Sequence, residues 1–237
     1  MQILDKAGSK GTGKWTVQEA AEVSVAASVI SGALDSRYIS SRKDERVKAS
    51  AILQGPEESD LLKITNPKAF IKDIELALYA AKIVSYAQGL SIIQTASDSK
   101  GWEIDLASCV SLWKGGCIIR SALLKQIVNA FKKNSSLSNL MVDENIAKEL
   151  NMCTQSWRNV VMTCATNGIT CPALCSALNY FDSYRTAKLP ANLTQAQRDF
   201  FGGHTYERVD QEGPHHTAWT DSHKDIGDIT ERSKGEK

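Results

Sequence analysis

The sequence predicts an all-α protein in which long core helices are followed by an extended C-terminal tail. Apolar residues recur at helical spacing through stretches too long to be strands. Prolines fall between those stretches, where a proline ends a helix without breaking one. No pair of alternating runs flanks a turn, so no convincing strand pair appears. With 237 residues, 42% hydrophobic and 23% charged, the chain has the composition of a soluble globular protein and enough apolar side chains for a sizeable core.

The first element is a glycine-rich turn, AGSKGTGKWT (Ala7 to Thr16), and Thr16 with Glu19 forms a T-x-x-E capping box opening a helix over Val17–Ala33. A second helix is predicted over Ser40–Leu53. The third, within KAFIKDIELALYAAKIVSYAQGLSIIQTA, carries Phe70, Ile74, Leu78, Ala81 and Val84 on one face and Ile71, Leu76, Ile83 and Ala87 on another. A helix apolar nearly all round is a core helix, and about 28 residues make it roughly 40 Å long. Asp105–Phe131 repeats the pattern through Leu106, Val110, Trp113, Cys117, Ile118, Ala122 and Ile127, with Gly115-Gly116 marking a kink or a close crossing. Further helices are expected at Val142–Leu150, Ser156–Gly168 and Cys171–Thr186. Breaks at Gly55-Pro56, Asn66-Pro67, Cys171-Pro172 and Leu189-Pro190 separate them. The composition then changes. The expected division is a helical body over 1–188, an extended tail over 189–220 and a disordered polar terminus over 221–237.

Charge and cysteine usage narrow the function. The balance of 28 basic and 27 acidic residues gives +1, so no global field attracts nucleic acid or an anionic membrane. MQILDKAGSK lacks the apolar stretch of a signal peptide, and no run of 18 or more apolar residues occurs, which reads as an intracellular protein without a membrane segment. The cysteines (109, 117, 153, 164, 171 and 175) show no C-x-x-C pair and no histidine at zinc spacing, so they are expected to be reduced and mostly buried, with no metal site. His215 and His216 are adjacent in an extended segment and point to opposite sides, which rules them out as a metal pair.

Gly8, Gly13 and Lys14 fit the first seven positions of a P-loop, but Trp15 stands where a Ser or Thr should meet magnesium, and no buried strand precedes the loop. A glycine turn opening a helix needs no ligand. Two lysines beside it, where exposed amides and the helix dipole favour negative charge, still leave a phosphate site open.

KGTGKWT, SSRKDERVKAS, YAAKIVSYAQG, WKGGCIIRS and LPANLTQAQRDFFGGHTYE occur in this order. In them the chain, from about Leu4 to Thr220, resembles the helical domain of 6-phosphogluconate dehydrogenase. The resemblance implies a homodimer, with each subunit's tail exchanged onto its partner, that oxidises and decarboxylates 6-phosphogluconate to ribulose 5-phosphate with NADP in the pentose phosphate pathway. It places Lys10, Thr12 and Arg37 at the substrate phosphate, and Arg198 and His204 on the tail that enters the partner's site. It also implies that the cofactor's Rossmann domain and the catalytic lysine and glutamate precede Met1, so no catalytic residue and no dinucleotide fingerprint is expected in this chain. A cytoplasmic location follows, with a plastid as the other possibility. The chain then reads as an artificial fragment, an incomplete reading frame or a truncated paralogue. The competing function is a non-catalytic module for phosphosugar binding or dimerisation. His215 departs from the aromatic common in the family, and the last 17 or so residues resemble nothing in it.

Overall fold

The computed structural model describes residues 2–219 and 224–228, the side chains of Asp60 and of 224–228 excepted. The chain divides into two compact units, Met1–Tyr184 and Arg185–Lys237, where the sequence placed a boundary after Lys188. The first is all-helical: α1 (Thr12–Glu22), α2 (Ser28–Ser41), α3 (Lys43–Ser50), α4 (Pro67–Lys100), α5 (Leu106–Leu112), α6 (Leu123–Lys133), α7 (Glu144–Thr166) and α8 (Pro172–Arg185), the last running one residue past the division. The second holds α9 (Ala191–Gly202) and strands β1 (Tyr206–Glu207), β2 (Pro214–Ala218) and β3 (Lys224–Asp228).

The long apolar helix is α4, and α7 packs along it. Asn66 starts α4 by accepting from the Ala69 amide (3.1 Å) ahead of Pro67, and Gly101 ends it at φ +64°. Ala77, Ala80, Ala81 and Ala87 are buried, and such small side chains let a neighbouring helix come close. α7 answers with Ile146, Leu150, Cys153, Trp157 and Val160, a three-and-four-residue spacing along one face. Trp157 is wholly buried and spends its indole donor on the Leu174 carbonyl (3.2 Å). By length and composition α4 could cross a bilayer, yet half of its most apolar window is buried inside the fold, as befits a core helix.

Several predicted elements change at their ends. The Thr16 capping box does not form. α1 begins earlier, at Thr12 with Gly11 as its cap, and the Thr16 hydroxyl bonds back to the Thr12 carbonyl within the helix (2.9 Å). The helix predicted over Val17–Ala33 is interrupted by Ser24 in the left-handed region (φ 57°), and the one predicted over Ser40–Leu53 breaks at Arg42. Gly115-Gly116 gives a full break between α5 and α6, with Gly116 at φ +70° and Ile118 fully exposed. Conversely, Val142–Leu150 and Ser156–Gly168 are one continuous helix, α7. Ile74 and Leu78, placed on one apolar face of α4, are exposed, while Ala77 and Ala80 beside Leu78 are wholly buried, so that face is only partly covered.

In the second unit, residues 189–220 are not simply extended: α9 occupies most of the first half. The sheet, unforeseen in the sequence, has antiparallel order β1-β2-β3, with Tyr206 opposite His215 and an irregularity in β2 between His215 and Thr217. Residues 224–228, expected to be disordered, form β3; the rest of 221–237 lies outside the described residues.

Candidate functional site

The turn before α1 is built to leave donors open. Gly11 caps the helix with φ +102°, a left-handed conformation that side chains avoid, and makes no side-chain cap. The first intrahelical bond runs from the Trp15 amide to the Gly11 carbonyl (3.0 Å), so the amides of Thr12, Gly13 and Lys14 have no acceptor within the helix. No acidic side chain occupies the first turn. Lys10 and Thr12 are exposed at this end.

Arg37, on α2, reaches the same loop. Its Nε donates to the Gly8 carbonyl (2.9 Å), and Nη2 donates to the same oxygen. The Ala7 amide donates to Ser40 Oγ on the next turn of α2 (2.9 Å), and Asp5 pairs with Lys43 Nζ (2.7 Å) and Arg46 Nη2 (3.1 Å). Hydrogen bonds from Lys43 and Arg46 pull the Asp5 carboxyl down to about 2. These bonds lay residues 5–8 along α2 and α3. With Asp5 occupied by Lys43 and Arg46, Lys10 and Lys14 have no ion-pair partner among the described residues. The structure thus brings Lys10, Thr12 and Arg37 to one glycine turn. With two hydrogens spent on Gly8, the guanidinium retains donors for an oxyanion.

α2 is itself held from below. Gln88, buried on α4, accepts from the Val29 amide (3.0 Å) and donates to Ser28 Oγ (3.1 Å), so a core side chain caps the helix that carries Arg37. At Gly13 an added Cβ would stand 3.4 Å from Leu34, which seats α1 closely on α2.

Arg198 and His204 belong to the second unit. Arg198, exposed on α9, donates from Nη1 to Gln195 Oε1 (3.0 Å), and Gln195 donates to the Thr205 carbonyl (2.6 Å). His204, also exposed, follows Gly203 (φ +60°), and its ring lies over Gly202, where a Cβ would come within 2.8 Å of Nε2.

The group that organises this segment is Asp199, which is wholly buried. Its Oδ1 accepts from the Thr205 amide (3.0 Å) and His216 Nδ1 (2.8 Å), and its Oδ2 from the Thr217 amide (3.1 Å) and Trp219 Nε1 (2.9 Å). The Gly203 amide adds a bond to the Asp199 carbonyl (2.9 Å). Residues on both sides of His204 are therefore tied to one residue, Gly203 to the Asp199 backbone carbonyl and Thr205 to its carboxylate. Desolvation pushes this carboxyl up, but the bonds from His216, Thr217, Trp219 and Thr205 outweigh it and hold it below its ordinary value. An ionised carboxylate only accepts, so His216 carries its proton on Nδ1. Sequence reasoning missed Asp199. The available signal was a carboxylate sharing the less exposed face of α9 with Gln195 and Ala196.

A match to the 6-phosphogluconate dehydrogenase C-terminal domain extends over residues 1–219. The chain belongs to that family. It is 52% identical over 218 residues to 6-phosphogluconate dehydrogenase, decarboxylating 1, of Oryza sativa subsp. japonica, covering 92% of this chain and 45% of the relative. A chloroplastic form from Arabidopsis thaliana is 50% identical over 223 residues, covering 92% and 46%. The solved structure of Plasmodium falciparum 6-phosphogluconate dehydrogenase, described in apo form and with NADP+ or 6-phosphogluconate, superposes with a TM-score of 0.86 at 40% identity, again over 92% of this chain and 46% of that one. The chain thus spans about half the length of the relatives it matches.

The cysteines are free; Cys153 alone is buried and the other five are half-buried, where the sequence predicts mostly buried thiols. No cluster of His, Cys, Asp or Glu suited to a metal occurs among the described residues. In β2, His215 is buried and His216 is turned to Asp199, the alternation expected of neighbours in a strand.

Proposed function

We propose that this chain supplies the substrate-phosphate end of an NADP-dependent, decarboxylating 6-phosphogluconate dehydrogenase. The reading is carried by the turn at Gly11, whose loop carries unpaired amides, Lys10 and Thr12 and is held at Gly8 by the Arg37 guanidinium, with no acidic side chain in the first turn of α1. Helix amides supply directed donors, arginine a planar fork and lysine a point charge, which together suit a phosphate monoester. In the proposed homodimer the partner's Arg198 and His204 complete the site.

NADP does not fit the groups present. Among the described residues the only sheet is three-stranded and antiparallel, with no glycine turn after a parallel strand, so they form no dinucleotide cradle. The role left to this chain is binding. Holding the phosphate still serves catalysis, because binding energy spent far from the reacting carbon orients that carbon. The working place would be the cytoplasm or a plastid, in line with the chloroplastic names among the relatives.

Calorimetry with 6-phosphogluconate and with gluconate tests this reading. The chain is expected to bind the phosphorylated acid at least tenfold more tightly, with amide shifts at Thr12, Gly13 and Lys14, and to make no NADPH alone. Equal binding of gluconate, or NADPH production by the pure chain, would contradict it.

A further inference from the structure

Three thiols converge at the turn between α7 and α8. Cys164 lies in the last turns of α7, Cys171 directly precedes α8, and Cys175 is in the first turn of α8. Asn167 and Gly168 (φ +64°) reverse the chain, and the Ile169 amide bonds to the Cys164 carbonyl (2.8 Å). The Sγ atoms of Cys171 and Cys175 stand 3.4 Å apart, already in contact. The Cys175 amide donates to the Cys171 carbonyl (3.0 Å), so the two are one helical turn apart. That spacing sets their Cα atoms about 6 Å apart, inside the roughly 4.4–6.8 Å range of disulfides. Both line an open cleft of about 680 Å³ with Ser36, Ser40, Arg46 and Ile169, wide enough to admit a small oxidant.

We propose that Cys171 and Cys175 form a reversible disulfide site, closed by a peroxide-class oxidant and reopened by a dithiol. Burial, followed by hydrogen bonding with Cys175 and Cys164, pushes the Cys171 thiol up to about 12, so Cys171 stays protonated and attack begins at Cys175. Cys175 sulfur attacks one peroxide oxygen, the O–O bond breaks, the displaced hydroxide takes the Cys175 thiol proton and leaves as the first water, and Cys175 becomes a sulfenic acid. Cys171 then attacks that sulfur. The S–S bond forms, its thiol proton joins the departing hydroxide, and water leaves. Two thiols are oxidised and one peroxide is reduced to two waters. A dithiol reverses the step by exchange.

The disulfide closes the turn on which α2 rests. A Cβ at Gly32 of α2 would stand 3.0 Å from Ser176 Oγ and 3.7 Å from the Pro172 carbonyl, and Ser28 Oγ donates to the Ser176 carbonyl (3.4 Å).

The test treats the whole chain with equimolar hydrogen peroxide at neutral pH, alkylates the remaining thiols and fragments the peptide from Asn159 to Arg185. The expected peptide has lost two hydrogens, carries alkyl only on Cys164, and after cleavage following Leu174 stays joined until dithiothreitol is added. Cys164→Ser keeps the crosslink, while Cys171→Ser and Cys175→Ser each lose it. A bond from Cys164 to either partner, or full alkylation of Cys171 and Cys175 after peroxide, overturns the proposal. The unmutated chain gives this answer even if a serine variant does not fold.

Discussion

Arg37 and Arg198 are both carried on helices beside a glycine turn, but their surroundings are fixed in different ways. Around Arg37 the fixing groups are several and separate: the Gly8 carbonyl takes the guanidinium, Gly11 opens the amides of α1, and Ser40 and the Asp5 ion pairs hold residues 5–7. Around Arg198 and His204 the fixing group is the side chain of Asp199, which gathers donors from the Thr205, His216, Thr217 and Trp219 positions. A loop held by several independent bonds tolerates the loss of any one side chain, whereas a turn hung on one carboxylate does not.

The largest expected effect follows from that asymmetry. Asp199→Ala strands buried amides and an indole donor, and at about 1–3 kcal/mol per unsatisfied group the tail should lose roughly 3 kcal/mol or more of local stability. Hydrogen exchange at Thr205 and Thr217 measures it. Unchanged protection would break the comparison. Arg37→Ala should leave exchange in α1 and α2 nearly untouched.

Backbone control at the loop is tested with glycines. Gly11→Ala forces a side chain into φ +102° and should cost about 1–2 kcal/mol by thermal melting. Gly13→Ala sits in helical backbone with only an ordinary contact to Leu34, and should be neutral or stabilising by up to about 1 kcal/mol.

Acid should separate the regions again. Both carboxyls are held below their usual values in the fold, so each contributes stability present above the unfolded value near 3.8 and lost as pH falls through the folded one. The Asp5 clamp on Lys43 and Arg46 should persist until about pH 2. It is exposed, so releasing it should change melting little. Protonating Asp199 should release the Thr205 and Thr217 amides together, visible as a common midpoint below pH 3.8 in an amide titration. The smallest effect is expected from Gly202→Ala, which should shift the His204 ring resonances without measurable loss of stability, since the ring edge can move aside.

What the sequence made legible followed these physical differences. Long apolar periodicity revealed α4, and the glycine–lysine turn revealed the loop, because each is written in consecutive residues. The earlier start of α1 was hidden because its cap is glycine in an unusual conformation, and the Thr16 and Glu19 pair mimicked a capping box. α9 and the sheet were missed because a short polar helix and strands of two to five residues have little periodicity. Asp199 was missed because its partners lie 6 to 20 positions away and only the fold assembles them. Gln88 capping α2 across 59 residues is the same kind of tertiary fact.

In the proposed homodimer, one phosphate site would draw Lys10, Thr12 and Arg37 from one chain and Arg198 and His204 from its partner. Arg37→Ala and Arg198→Ala proteins, each expected to bind 6-phosphogluconate about tenfold more weakly, are refolded together in equal amounts and titrated by calorimetry. If tails are exchanged, half the dimers are mixed, each mixed dimer holds one site with both arginines, and about a quarter of all sites regain full affinity. No recovery of tight sites, with mixed dimers verified by mass, would contradict the account.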